Sequence, residues 1–129
     1  MIKLFVYGTL KRGHRNHRLL RNSTYLGNAT TARRYSVIDV GFPVLILDPE
    51  GNRVRGELYE VDRETTISLD RLEGVGRMYN RVRKYVHTDD KAIIRVHYYE
   101  GIKNHWLPRH EGQYLPAPVG GVLNWRPMP

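Results

Sequence analysis

Val6-Tyr7-Gly8-Thr9-Leu10-Lys11-Arg12-Gly13 follows directly on Ile2, Leu4 and Phe5, so an apolar run breaks abruptly at a glycine. That pattern predicts a short buried strand over residues 2–7 that ends in a sharp turn. Glycine at position 8 lets the backbone turn tightly and lets a ligand approach main-chain N–H groups closely. Turns of this kind can present a cup of consecutive N–H donors to an anion. The simpler alternative is a tight turn that only caps the strand.

Downstream, residues 14–21 are expected to form a short helix anchored by Leu19 and Leu20. Residues 24–40, rich in Thr, Tyr, Val and Ile, read as extended, with a bend near Arg33-Arg34. Gly41-Phe42-Pro43 punctuates, Val44 to Leu47 is a short strand, and Asp48 to Asn52 is a turn. Arg53 to Val61 is a further strand, in which Gly56 marks a bulge or a close ligand approach. Asp62 suits the N-cap of a helix over residues 63–73, with Glu64 in its first turn and Gly74 as its C-cap. On that helix Leu69 and Leu72 share a face and Glu73 borders it. Residues 79–88 and 92–99 read as a hairpin turning at Asp89-Asp90-Lys91. After Gly101 the chain is Pro- and Gly-rich. It is expected to lie over the surface with little regular structure, with Trp106 and Trp125 as packing anchors. Many strands and one or two helices imply an α+β fold built on a curved sheet or small barrel.

The second informative stretch runs from Ser68 through Leu69-Asp70-Arg71-Leu72-Glu73-Gly74 to Tyr79-Asn80-Arg81. A YGTL turn near residue 7, an LDxxEG helix end and a Tyr-x-Arg strand start occur in that order. Together they resemble the γ-glutamylcyclotransferase family, over roughly residues 3 to 115. The stretch YGTLKRGHRNH, Tyr7 to His17, is most similar to the branch acting on γ-glutamylamines. The resemblance implies a small mixed β-barrel of about five or six strands, flanked by one or two helices, with its pocket at one mouth.

Composition bounds the alternatives. The chain has 129 residues, expected to form one domain over 1–129 with a Pro/Gly-rich tail from about 108. It holds no cysteine, which excludes disulfides, thiolate metal sites and a cysteine nucleophile. No leader pattern and no membrane-length apolar run is visible, so a soluble cytoplasmic protein is expected. Lys and Arg number 21 against 13 Asp and Glu, a formal charge of +8. Such an excess favours acidic partners: a small carboxylate, nucleic acid, or none beyond solvent.

The resemblance implies an intramolecular reaction in which the free α-amine of a γ-glutamyl group attacks its own side-chain carbonyl. The products are 5-oxoproline and a free amine or amino acid. The enzyme needs only to fold the substrate, remove a proton and stabilise an oxyanion, so no metal or other cofactor is required. Glu73 occupies the family's acid/base position. From the helix alone, a solvated glutamate at a helix end is the simpler reading. Tyr7, Gly8, Thr9 and Leu10 match the turn that binds the γ-glutamyl moiety through main-chain groups. Tyr79 matches a pocket tyrosine, and a plain strand-starting aromatic is the alternative.

Other motifs fail. His14 and His17, and His105 and His110, bring no third ligand, which argues against zinc. Gly74-Val75-Gly76 continues to Tyr79 where a dinucleotide fingerprint needs glycine. Ser23, Ser36 and Ser68 lie in no nucleophile-elbow sequence. The basic run Lys11 to Arg18 suits a solvated face, a substrate carboxylate or phosphates. A non-catalytic basic barrel binding nucleic acid or another anionic partner is the alternative function. Two features argue against it: Glu73 would repel phosphate, and no base-reading aromatic motif is present.

Overall fold

The computed structural model describes residues 1–110, 113–118 and 120–127. Its strands are β1 (Ile2–Val6), β2 (Thr24–Thr31), β3 (Tyr35–Asp39), β4 (Pro43–Leu47), β5 (Arg53–Val61), β6 (Tyr79–Thr88), β7 (Ile93–Gly101) and β8 (Val122–Leu123). The helices are α1 (Arg63–Glu73) and α2 (Lys103–His110), with a 3₁₀ turn at His17–Leu20.

Five strands close on themselves in the order β1-β7-β6-β2-β5, because β5 also pairs with β1. The β1–β7 contact is parallel and the other barrel pairings are antiparallel, which makes the barrel mixed. β8 adds to β5 in parallel at Arg53 and Val54, and β3–β4 form a separate antiparallel hairpin. Closure leaves few free edges and explains why every long strand is paired on both sides.

β1 is apolar on successive residues because both of its faces are buried. Phe5 packs with Ala29, Leu58, Val86, Val96 and Tyr98 inside the barrel. Leu4 and Val6 face outward, into a second cluster with Leu69 of α1, Trp106 of α2 and Val44 and Ile46 of the hairpin. Tyr35 ties that hairpin to the barrel: its hydroxyl meets Tyr98 Oη at 2.7 Å and Glu100 Oε2 at 2.7 Å.

α1 starts and stops where the sequence indicates. Asp62 Oδ1 accepts the Thr65 N–H at 2.7 Å, and Gly74 takes a left-handed C-cap conformation with φ 62°. Its inward face is Thr66 and Leu69, while Leu72, expected beside Leu69, is 48% exposed.

Three expectations need correction. The helix expected over 14–21 shrinks to the 3₁₀ turn, because Asn16 N–H is spent on Thr9 O rather than on a helical ladder. The bulge lies in β2, between Tyr25 and Gly27, and not at Gly56. Gly56 instead faces the barrel interior, where a Cβ would collide with Val6 O and the Phe5 ring, so the close approach is by β1 and not by a ligand. The stretch after Gly101 holds α2 despite Pro108, since the buried Trp106 packs against Phe42 and Tyr79 and donates from Nε1 to Met78 O at 2.8 Å. Trp125 is also buried, as expected of an anchor. Among the described residues, no helix is long and apolar enough to cross a membrane.

Candidate active site

A cavity of about 240 Å³ opens beside the end of β1. Tyr7, Gly8, Thr9, Leu10, Glu73 and Tyr79 all line it, so the six residues expected in the catalytic and substrate-binding roles come together in one cavity. Phe42, Leu72, Met78 and Trp106 give it apolar walls, and Arg15 adds one cation.

The turn after β1 is shaped by the basic run that follows it. Lys11 N–H donates to Gly8 O at 3.0 Å and Asn16 N–H to Thr9 O at 3.0 Å. His17 Nδ1 lies 2.9 Å from Leu10 O and, facing an acceptor, carries the proton there. Asn16 Nδ2 also donates to Thr9 Oγ1 at 3.0 Å. The three carbonyls of Gly8, Thr9 and Leu10 are thus all engaged by the arm. Their three N–H groups donate to no backbone carbonyl among the described residues. Backbone N–H donors left over in this way form a ready site for a carboxylate or an oxyanion. Gly8 itself is required by packing, because a Cβ there would lie 2.8 Å from Pro43 Cγ.

Within Lys11 to Arg18 the solvated-face reading fails at Lys11 alone, since Arg12, Arg15 and Arg18 are exposed. Lys11 is buried and its Nζ donates to Asn124 Oδ1 and Trp125 O, each at 2.8 Å. Burial pushes its pKa down to about 8. A neutral amine still has two N–H bonds, matching those two acceptors. Arg12 sits 4.3 Å over the Tyr25 ring, and its Nε lies 3.7 Å from Glu57 Oε2.

Glu73 is the last residue of α1 and is only partly exposed. Burial pushes its pKa up to about 7, and among the described residues no cation or hydrogen bond offsets that. The negative end of the helix dipole acts in the same direction. A carboxyl balanced near neutrality can take a proton and return it within one turnover.

Tyr99, Asp70 and Arg81 are functional candidates that sequence reasoning missed. Tyr99 lines the cavity, and its hydroxyl donates to Asp70 Oδ1 at 2.8 Å. Asp70 accepts from Arg81 Nε at 3.0 Å. A signal existed: Asp70 lies three residues before Glu73 on α1, and Arg81 is the arginine of the Tyr-x-Arg pair. Tyr99 joins them only through strand register, as the partner opposite Arg81. Among the described residues, no three His, Asp or Glu side chains group as metal ligands would.

Comparison with known proteins identifies relatives of this chain. The chain is 41% identical over 75 residues to the γ-L-glutamyl-butirosin B γ-glutamyl cyclotransferase of Niallia circulans, covering 57% of this chain and 46% of that protein. It is 40% identical over 92 residues to γ-glutamylaminecyclotransferase of Bos taurus, covering 64% and 55%. The matched stretch therefore spans about half the length of these two relatives. The crystal structure of an AIG2-like protein from Mus musculus superposes with a TM-score of 0.75 at 28% identity, covering 98% of this chain and 97% of that one. The family described as "Gamma-glutamyl cyclotransferase, AIG2-like" matches residues 4–116, and the chain belongs to that family of enzymes.

Proposed function

We propose that the protein converts a γ-glutamylamine to 5-oxoproline and the free amine, with Glu73 as the general base and acid. The observation that carries this reading is a half-buried carboxyl, balanced near neutrality, in one cavity with the uncommitted N–H groups of the Gly8–Leu10 turn. The α-ammonium of the substrate gives a proton to Glu73. The amine nitrogen then forms a bond to the side-chain carbonyl carbon. Negative charge gathers on the carbonyl oxygen, where main-chain N–H donors stabilise it. The bond from that carbon to the leaving nitrogen breaks as Glu73 returns the proton to it, and the ring nitrogen gives up its second proton to the released amine, which departs as an ammonium. Nucleophile and electrophile belong to one molecule, so holding the substrate folded supplies much of the rate. No step asks for a metal or a redox group.

Similarity to the bovine protein supports an amine as the leaving group. The apolar wall of Phe42, Leu72, Met78 and Trp106 suits its alkyl portion. The test is Glu73→Gln assayed on a panel of γ-glutamylamines. The amide keeps the shape of the side chain but cannot take the proton, so kcat is expected to fall by about 10²-fold or more. Full activity in a folded Glu73→Gln protein would remove Glu73 from the chemistry.

A further inference from the structure

Three tyrosines share the cavity with Glu73, and their hydroxyl protons are not equivalent. Tyr7 Oη donates to Tyr99 O at 2.5 Å, and Tyr99 Oη donates to Asp70 Oδ1 at 2.8 Å. Asp70 is held by Arg81 Nε at 3.0 and 3.3 Å, and Arg81 NH1 lies 2.7 Å from His97 Nδ1. Arginine can only donate, so His97 Nδ1 accepts and the neutral ring carries its proton on Nε2. A carboxylate can only accept, and the guanidinium holds Asp70 in place facing Tyr99. A phenol has one proton and two lone pairs. With both protons committed, Tyr7 and Tyr99 have only lone pairs left to offer a ligand. Tyr79 differs: no hydrogen bond engages its hydroxyl among the described residues, and it keeps a proton to donate. Burial is the main cause of the raised pKa of all three phenols, and the Glu73 charge adds to each, as expected of oxygens grouped around that carboxylate.

We infer that the Tyr7 and Tyr99 oxygens and the Glu73 carboxylate form a three-acceptor cage for the substrate's α-ammonium, with Asp70 as the positioning residue that keeps Tyr99 an acceptor. The inference rests on the γ-glutamyl reading and adds the feature that selects substrates: a free, protonated α-amine. An ammonium brings three N–H donors to three acceptors. One proton passes to Glu73, and the tyrosine oxygens retain the nitrogen while it attacks. An acylated nitrogen brings one N–H and leaves two acceptors unmatched.

The experiment compares wild type with Tyr99→Phe, Tyr7→Phe and Asp70→Asn. KM is measured for a γ-glutamylamine, and calorimetry measures binding of the matching glutaric acid monoamide, which lacks the α-amine and cannot cyclise. Removing a hydrogen bond to a charged group predicts a rise in KM of about tenfold or more in Tyr99→Phe and Tyr7→Phe, with monoamide binding unchanged. In Asp70→Asn, Arg81 claims Oδ1 and the amide N–H faces Tyr99. The phenol proton then turns toward the cavity, so KM rises as in Tyr99→Phe. Unchanged KM, or equal loss of both ligands, would overturn the cage. If wild type turned over no γ-glutamyl compound, the cyclotransferase reading would fall on its own. The cage would then stand or fall on whether wild type binds the γ-glutamylamine more tightly than the monoamide and loses that preference in Tyr99→Phe.

Discussion

A carboxyl with a pKa near 7 is part-ionised at neutral pH, so Glu73 gives activity and stability opposite pH dependences. As a base it must be ionised, and kcat/KM should rise with pH through an apparent pKa near 7. Its folded pKa lies above the ordinary 4.5. The folded state therefore binds the proton more tightly than the unfolded chain does. That contribution to stability is fully present below pH 4.5 and is lost as pH rises through 7. Glu73→Gln removes the penalty. At pH 8 it should be more stable than wild type by up to about 3 kcal/mol in urea unfolding, and the gap should close toward pH 4. A variant less stable at pH 8 would contradict the burial argument. Residues of this kind are legible in sequence when their setting is local. Glu73 stands between an apolar helix face and a glycine cap, and Tyr7 to Leu10 end a strand. Asp70 is adjacent to that motif, yet its role depends on Tyr99, which only strand pairing delivers. Lys11 was misread because its partners, Asn124 and Trp125, lie 113 and 114 residues away.

Among the elements, the arm over residues 11–20 does two jobs at once. It takes the carbonyls of the Gly8–Leu10 turn, and through Lys11 it fixes the C-terminal segment that carries β8 and Trp125. Lys11→Ala would leave the buried Trp125 carbonyl without its donor, a cost of about 1–3 kcal/mol. Thermal unfolding should show the loss, and hydrogen exchange should quicken over residues 122–127. Unchanged exchange there would mean that Trp125 packing alone holds the segment. α1 was legible to the residue because its two caps are written in its own sequence. The arm was not, because a 3₁₀ turn that serves a neighbouring loop has no hydrophobic period. α2 was missed for a related reason: two turns containing Pro108 form only because Trp106 finds a buried place.

At the scale of the whole molecule, the barrel closes through β1, which pairs with β5 on one side and β7 on the other. Its strands and their order along the chain follow from apolar runs and turn residues. Closure and the parallel β1–β7 contact do not, since they join residues 51 to 93 positions apart. At Gly56 β5 approaches β1 closely. Gly56→Ala pushes a methyl group into Val6 O and the Phe5 ring, and should cost about 1–3 kcal/mol in denaturant unfolding. Because β1 leads directly into the Gly8–Leu10 turn, the same variant should also weaken substrate binding. The central claim is that the substrate's own α-amine is the nucleophile in this cavity. The most direct measurement compares 5-oxoproline release from a γ-glutamylamine with that from its N-acetylated form. The account predicts 5-oxoproline and amine from the free-amine substrate and no turnover of the acetylated one. Release of amine from both at similar rates would mean hydrolysis by water and would contradict it.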